Sequence, residues 1–378
     1  MPELRIGGDW SEPQGERWDV LLACQDAPTP FMRWRFLREL ARHSAVPASG
    51  WSACFAWLEE GDTLLAACPL WLKSHSWGEF VFDQSWARAY AQHGLRYYPK
   101  ALVAVPFTPV AGSRLLAVDD EARRLLAQAL MAFVEQQGLS GVHLLFGSTA
   151  DARALQGLGW ATREQAQFHW QRDPGWQSFD DFLSALRRDK RKKIQQERRR
   201  VMDAGVSVRV SVGSEIGAVD WAFFERCYAA TYAVRGQPPY LANGFFAAAL
   251  DDWVLLIAEQ GAEPVAAGLL AWDRQQQVAY GRHWGCVRDI PCLHFELCYY
   301  APIAWCIAQG VRRFEGGAQG EHKMARGLLP TPTHSQHWLR DARFAEAILR
   351  FSEEEQAAVA AYEEELVARS PFRSMSAI

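Results

Sequence analysis

The part of this chain richest in groups that could do chemistry is Phe314-Glu315-Gly316-Gly317-Ala318-Gln319-Gly320-Glu321-His322-Lys323-Met324-Ala325-Arg326-Gly327. Its glycines let backbone amides come close to a ligand, as an anion-binding loop requires. Glu321, His322, Lys323 and Arg326 then place a carboxylate, an imidazole and two cations within six positions. Acyl transfer to an amine needs that mixture: a base takes the amine proton, and donors or cations stabilise the tetrahedral oxyanion. Glu321, His322 and Lys323 are therefore the expected catalytic residues, and Gly316, Gly317, Gln319, Gly320 and Arg326 are expected to bind donor or substrate. The segment follows a short apolar strand, and ligands of open α/β sheets gather beyond the carboxyl ends of strands.

Three smaller constellations are candidates for the walls of the site. Lys100 and Arg114 flank the proline-stiffened run Pro106-Phe107-Thr108-Pro109. Arg235 and Tyr240 bracket the rigid Gly236-Gln237-Pro238-Pro239. Arg282 lies in a strand, Tyr280-Gly281-Arg282-His283-Trp284-Gly285, that leads to His294 and Glu296 at a helix start. Cys286, Cys292, His294 and Cys298 contain no C-x-x-C pair and fit a helix face equally well, so no metal is expected. The motifs of α/β-hydrolases, P-loop enzymes, dinucleotide-binding dehydrogenases and zincins are all missing.

A second feature is electrostatic. Ser178 and Asp181 form a capping box that opens a helix. That helix runs into Arg187–Arg200, with nine basic and two acidic residues in a chain of net charge −4. Such a density of like charge needs counter-charge. The acidic body of the chain, or an external polyanion gripped by Lys190, Lys192, Lys193, Arg198 and Arg199, could supply it.

The elements that must position these residues read as two α/β lobes. Trp51–Glu59 and Thr63–Lys73 form a hairpin, followed by a helix over Glu121–Gln137 and a strand over Gly141–Phe146. Trp253–Glu259, Val265–Asp273 and Gln277–Gly285 repeat the plan, followed by a helix over Phe295–Gln309 and a strand over Val311–Glu315. In both halves a glycine, Gly138 or Gly310, is expected as the left-handed residue that turns helix into strand. The expected organisation is a first lobe over 1–170, a basic linking helix over 171–206 and a second lobe over 207–378, with an Ala- and Glu-rich packing helix from Asp341 to Arg369. The chain is 49% hydrophobic and carries 17 Trp, 20 Phe and 10 Tyr, enough for thick cores. Its eight cysteines are scattered through apolar segments, as reduced thiols are. With neither a secretory leader nor an apolar run of about 20 residues, the expected location is cytoplasmic.

The ordered blocks KALVAVPFTPVAG (Lys100–Gly112), LRRDKRKKIQQERRRV (Leu186–Val201), RGQPPY (Arg235–Tyr240), YGRHWG (Tyr280–Gly285), HFELCYY (His294–Tyr300) and FEGGAQGEHKMARG (Phe314–Gly327) resemble a bacterial family of FemAB-like N-acyltransferases. That family is named for peptidoglycan biosynthesis or recognition and belongs to the acetyltransferase (GNAT) superfamily. The resemblance implies an α/β fold of two tandem GNAT-like lobes with mixed sheets, and a cleft in which donor and acceptor meet. It implies an acyl or aminoacyl group moved to the amine of a small molecule or peptide. The donor would be aminoacyl-tRNA or acyl-CoA, with no tightly bound cofactor. A non-catalytic protein that binds cell-wall fragments or RNA is the alternative outside enzymes. The chain lacks the long coiled-coil insertion of some Fem enzymes.

Overall fold

The computed structural model describes residues 2–8, 12–43, 49–318 and 320–373. They fall into two compact units that are discontinuous in sequence. The first comprises Met1–Gln165, Tyr240–Phe245 and Pro332–Ala360; the second comprises Ala166–Pro239, Phe246–Thr331 and Ala361–Ile378. The basic helix thus groups with the second unit, and residues 332–360, expected in the second lobe, group with the first.

In the first unit, strands β1 (Glu3–Gly7), β2 (Trp51–Glu60), β3 (Thr63–Lys73), β4 (Lys100–Val103) and β6 (Gly141–Gly147) lie side by side in that order. The short β5 (Leu116–Ala117) pairs off β3. Residues His334–Leu339 of the strand Leu329–Leu339 run antiparallel to β6. β4 and β6 are parallel, and the helix Asp120–Gln137 lies between them in the chain. Asp119 caps that helix at the Ala122 amide, and Gly138 ends it at φ 65°. Its apolar face, with Leu126, Leu130 and Val134, packs on Val103, Val142 and Leu144.

The second unit repeats the scheme. The end of β7 (Ala161–Gln171) is followed across the sheet by β12 (Arg313–Glu315), β11 (Val278–Cys286), β10 (Glu263–Asp273), β9 (Trp253–Gln260) and β8 (Val206–Val212). Here β11 and β12 are the parallel pair that corresponds to β4 and β6. The duplicated hairpin, strand, helix and strand read from the sequence is present in both units.

Two long helices expected from the sequence are interrupted. The basic segment forms two helices, Phe179–Ala185 and Arg188–Asp203, because Leu186 turns extended to bridge Phe372 and Arg187 donates its N–H to the Pro371 carbonyl at 2.8 Å. The helix expected over 295–309 starts at Leu293, widens to a π turn over Glu296–Tyr300 and continues as Ala301–Ala308. Such bulges rotate side chains off the regular face and often mark functional positions.

Candidate functional site

β11 and β12 share only three parallel pairs, Val278 with Arg313, Ala279 with Phe314 and Tyr280 with Glu315. There β12 stops while β11 runs on to Cys286, which opens the sheet at the carboxyl ends of the parallel strands. The chain leaves β12 through Gly316, where a Cβ would lie 2.5 Å from Leu328 Cδ2. At Gly320 the backbone has φ 110°, and a Cβ would stand 2.6 Å from the His322 ring. A Cβ at Gly316 would displace the Leu328 side chain, and one at Gly320 would displace the His322 ring and strain the left-handed backbone. Gln319 lies outside the described residues.

A 3₁₀ turn, Glu321–Arg326, follows and carries the expected catalytic groups. Lys323 is buried, and its Nζ donates to the carbonyls of Gly317 at 2.7 Å and Ala318 at 3.4 Å, so it clamps the glycine loop. Burial pushes its ammonium down to about 8. The buried Arg326 donates to the His322 carbonyl at 2.7 Å and to both oxygens of Glu197 at 3.1 Å, with its guanidinium 3.6 Å from the Phe295 ring centre. Tyr300 also donates to Glu197. Arg326 is thus engaged within the fold, and a donor phosphate would have to compete with Glu197 for it.

His322 is exposed, with Nε2 3.0 Å from the Tyr299 hydroxyl. Partial burial, then the charges of Arg326 and Lys323, hold its imidazole below the usual range, so it is neutral near pH 7. Tyr299 comes from the π turn, and burial keeps its hydroxyl protonated. His294 packs edge-on against Trp284, with ring centres 4.8 Å apart. Burial, followed by His322, Arg326 and Lys323, pushes His294 down to about 4. Glu321 is exposed and accepts a 2.6 Å hydrogen bond from Tyr362. The C-terminal helix, read as a packing element, therefore touches the site.

One strongly perturbed carboxyl at this strand end was not among the expected site residues. Glu315 ends β12, opposite His169 of β7 and beside Tyr280 of β11. It is 4% exposed. Its Oε1 accepts from Arg313 Nε at 3.1 Å, while Oε2 has no hydrogen-bond partner and lies 3.8 Å from His169 Nε2. Burial raises its pKa to about 7 against the opposing charges of Arg313 and Arg282. Burial, then Arg313 and Lys323, lowers His169 to about 3. Arg282 is half-buried on β11, and burial lowers it to about 10. The usable sequence cue for Glu315 was its place as the last strand residue before Gly316-Gly317. His169 is brought to it only by strand pairing.

The remaining expected residues separate into engaged and open ones. Glu296 is buried and takes Arg198 in a two-point ion pair at 3.0 to 3.2 Å, with the Arg198 guanidinium 4.5 Å from the Phe179 ring centre. Lys190 pairs with Asp189 at 3.0 Å. Lys192, Lys193 and Arg199 are exposed. The counter-charge for the basic helix is thus partly internal. Arg235 is exposed, and in the first unit Tyr240 stacks on Phe107 with ring centres 4.6 Å apart.

Lys100 and Arg114, expected along a cleft wall, are instead enclosed in the first unit. Lys100 is 0% exposed, and its Nζ donates to Glu79 at 2.7 Å, Ser76 at 3.1 Å and Asp83. Arg114 is 1% exposed and donates to the carbonyls of Leu145 at 3.1 Å, Gly112 at 3.2 Å and Val110. Both side chains lock loops to the sheet. All eight cysteines are free. Among the described residues no group of three or more His, Cys, Asp or Glu is arranged to hold a metal, and no helix is long and apolar enough to cross a membrane.

The arrangement of two α/β units is shared with solved structures. The chain is similar to FemX, with a TM-score of 0.52 at 10% identity over 89% of this chain and 98% of that one. It is similar to L-PGS from Bacillus licheniformis, with a TM-score of 0.57 at 10% identity over 91% and 97% of the two chains. The C-terminal domain of a putative lysylphosphatidylglycerol synthetase from Agrobacterium fabrum gives 0.52 at 11% identity over 89% and 95%. At those identities the likeness is one of fold. No curated protein matches the chain. The sequence pattern of the FemAB-like family, described as peptidoglycan biosynthesis/recognition, matches residues 10–374, and the chain belongs to that family.

Proposed function

We propose that this protein is an N-acyltransferase in which a substrate amine attacks an activated acyl carbonyl directly at the opened end of β11 and β12. The observation that carries the reading is the gathering of Glu315, Arg282, Tyr299, His322 and Lys323 in the second unit, around a glycine loop at that strand end. The new N–C bond forms as the donor oxygen or sulfur leaves with the bonding pair. The amine proton goes to a base, and donors to the developing oxyanion would come from the glycine loop that Lys323 clamps. Of the two bases expected, His322 is the better placed, being neutral, exposed and oriented by Tyr299, whereas Glu321 is bonded to Tyr362. Glu315 is a second candidate, favoured by its uncommitted Oε2 and a pKa near the working pH.

The pH profile of kcat/KM separates the two. A His322 base gives an acidic limb below 6.5 that vanishes in His322→Ala, whereas a Glu315 base gives a limb near 7 that vanishes in Glu315→Gln. Loss of the working base is expected to lower kcat by about 10² to 10⁴. Near-normal turnover in both variants, and in Glu321→Gln, would remove the assignment of the site.

The family and the exposed cations of the basic helix support aminoacyl-tRNA as donor and a peptide-borne amine as acceptor; acyl-CoA is the alternative donor. Binding of charged and uncharged tRNA at physiological salt tests the choice. The comparison protein carries Lys192→Gln, Lys193→Gln and Arg199→Gln, which spares the Arg198–Glu296 pair. Preference for charged tRNA that disappears in this variant is expected. Weak binding that is indifferent to charging and abolished by salt would leave acyl-CoA.

A further inference from the structure

We infer that the segment from Ser74 to Arg96 of the first unit docks on an anionic lipid bilayer through the aromatic loop Trp77–Phe82. A large exposed apolar side chain in isolation is ordinary, but a contiguous cluster signals an interaction surface. Trp77 is 59% exposed, Phe82 53% and Phe80 36%, three aromatic rings within six residues. The loop is inside-out, because its polar side chains face the interior. Ser76, Glu79 and Asp83 all bind Lys100, Tyr98 pairs with Ser76 at 2.7 Å, and Tyr97 donates to Asp83 at 2.6 Å.

The backbone is fixed as firmly. Phe80 sits at φ 62°, a left-handed conformation that bulky residues adopt only when their surroundings impose it. Gly78, at φ 83°, presses so closely on Phe107 that a Cβ would lie 2.7 Å from the ring. The rings are therefore held outward by a buried ion cluster and a constrained turn.

Charge selects the partner. Between residues 74 and 96 the only acids are Glu79 and Asp83, and both are buried. The exposed remainder includes Arg88, Arg96 and the 36% exposed Leu95, on a chain of net charge −4. Exposed Trp and Phe in one segment with exposed arginine is the composition that settles at a membrane interface: rings enter the headgroup boundary and guanidinium groups meet lipid phosphates. Outside the segment, the nearby carboxylate of Glu355 is paired with Arg163, which also donates to the Phe82 carbonyl. An uncharged glycan could stack on the rings but would gain nothing from the arginines.

Co-sedimentation of the full chain with vesicles tests this, using phosphatidylcholine alone and phosphatidylcholine with roughly a third phosphatidylglycerol. The native chain should sediment with the anionic vesicles and several-fold less with the neutral ones. Trp77→Ser with Phe82→Ser should weaken binding on the order of tenfold with an unchanged thermal melt. Arg88→Gln with Arg96→Gln should erase the preference for anionic lipid. Absence of vesicle binding by the native chain, or full binding by the Trp77/Phe82 variant, would overturn the inference. So would loss of binding only when Lys192, Lys193 and Arg199 are neutralised, or Trp77-dependent binding to insoluble glycan without binding to vesicles.

Discussion

A Glu315→Gln protein should be more stable than the native one above pH 7 and slower in acyl transfer. The sign follows from where the proton sits. Burial raises the folded-state pKa of Glu315 from the ordinary 4.5 to about 7, so the folded state holds its proton more tightly than the unfolded chain does. Stability associated with the protonated carboxyl is fully present below pH 4.5 and is lost as pH rises through about 7. At about 1.4 kcal/mol per pKa unit, the native protein gives up about 3 kcal/mol across that window. The amide keeps the shape and the bond from Arg313 Nε but never ionises. Denaturant unfolding at pH 4.5 and pH 8 should show near-equal stabilities at the lower pH, with the variant ahead by about 3 kcal/mol at the higher. A variant no more stable at pH 8 would mean that Oε2 is satisfied and Glu315 is an ordinary structural acid. A more stable, slower enzyme would mean that the strand end is held at a thermodynamic disadvantage for the sake of its chemistry.

Comparison of the two units supports that view. Each has a parallel strand pair of three rungs at a corresponding place in its topology. In the first unit the last rung is Val103 against Leu144, both fully buried and apolar. In the second it is Tyr280 against Glu315. A sheet of this plan folds with an apolar last rung, so the carboxyl in the second unit is not demanded by the fold. The titratable groups of the proposed site gather beyond that rung, so the proposal uses one copy of a duplicated scaffold for chemistry.

Much of the scaffold was legible because short-range rules governed it. The hairpins Trp51–Lys73 and Trp253–Asp273 show in their strand patterning, and Gly138 and Gly310 both adopt the left-handed geometry expected after a helix. The 3₁₀ turn of Glu321–Arg326 was legible as a cluster but not as an arrangement, since spacing cannot reveal that Arg326 pairs with Glu197, 129 positions away. The same holds for Arg198 and Glu296, which were separately expected to meet ligands and instead meet each other. Long charged side chains are assigned by whichever opposite charge the fold brings near, and that is decided by packing. The break at Leu186 has the same origin: the sequence around it favours helix, but the Phe372 bridge prevails.

Lys100 is the clearest instance, and replacing it should have the largest effect on stability of any single change considered. In Lys100→Met the ammonium that Glu79, Asp83 and Ser76 share disappears, while both carboxyls remain buried. Burial by itself works against the charge on Lys100, yet Glu79 and Asp83 outweigh it and hold its pKa above the ordinary range. Removing one partner of such a group leaves uncompensated buried charge, which costs about 3–5 kcal/mol. Replacing all the partners with neutral groups need not be costly. Lys100→Met combined with Glu79→Gln and Asp83→Asn should therefore recover most of the loss in thermal or denaturant unfolding, and this rescue distinguishes an ion cluster from simple packing of the lysine stem. A side chain that served substrate would behave differently: the triple variant would refold well and still fail in acyl transfer. Restored stability together with restored turnover is the expected result, because a fully enclosed ammonium with three internal partners has no face left for a ligand.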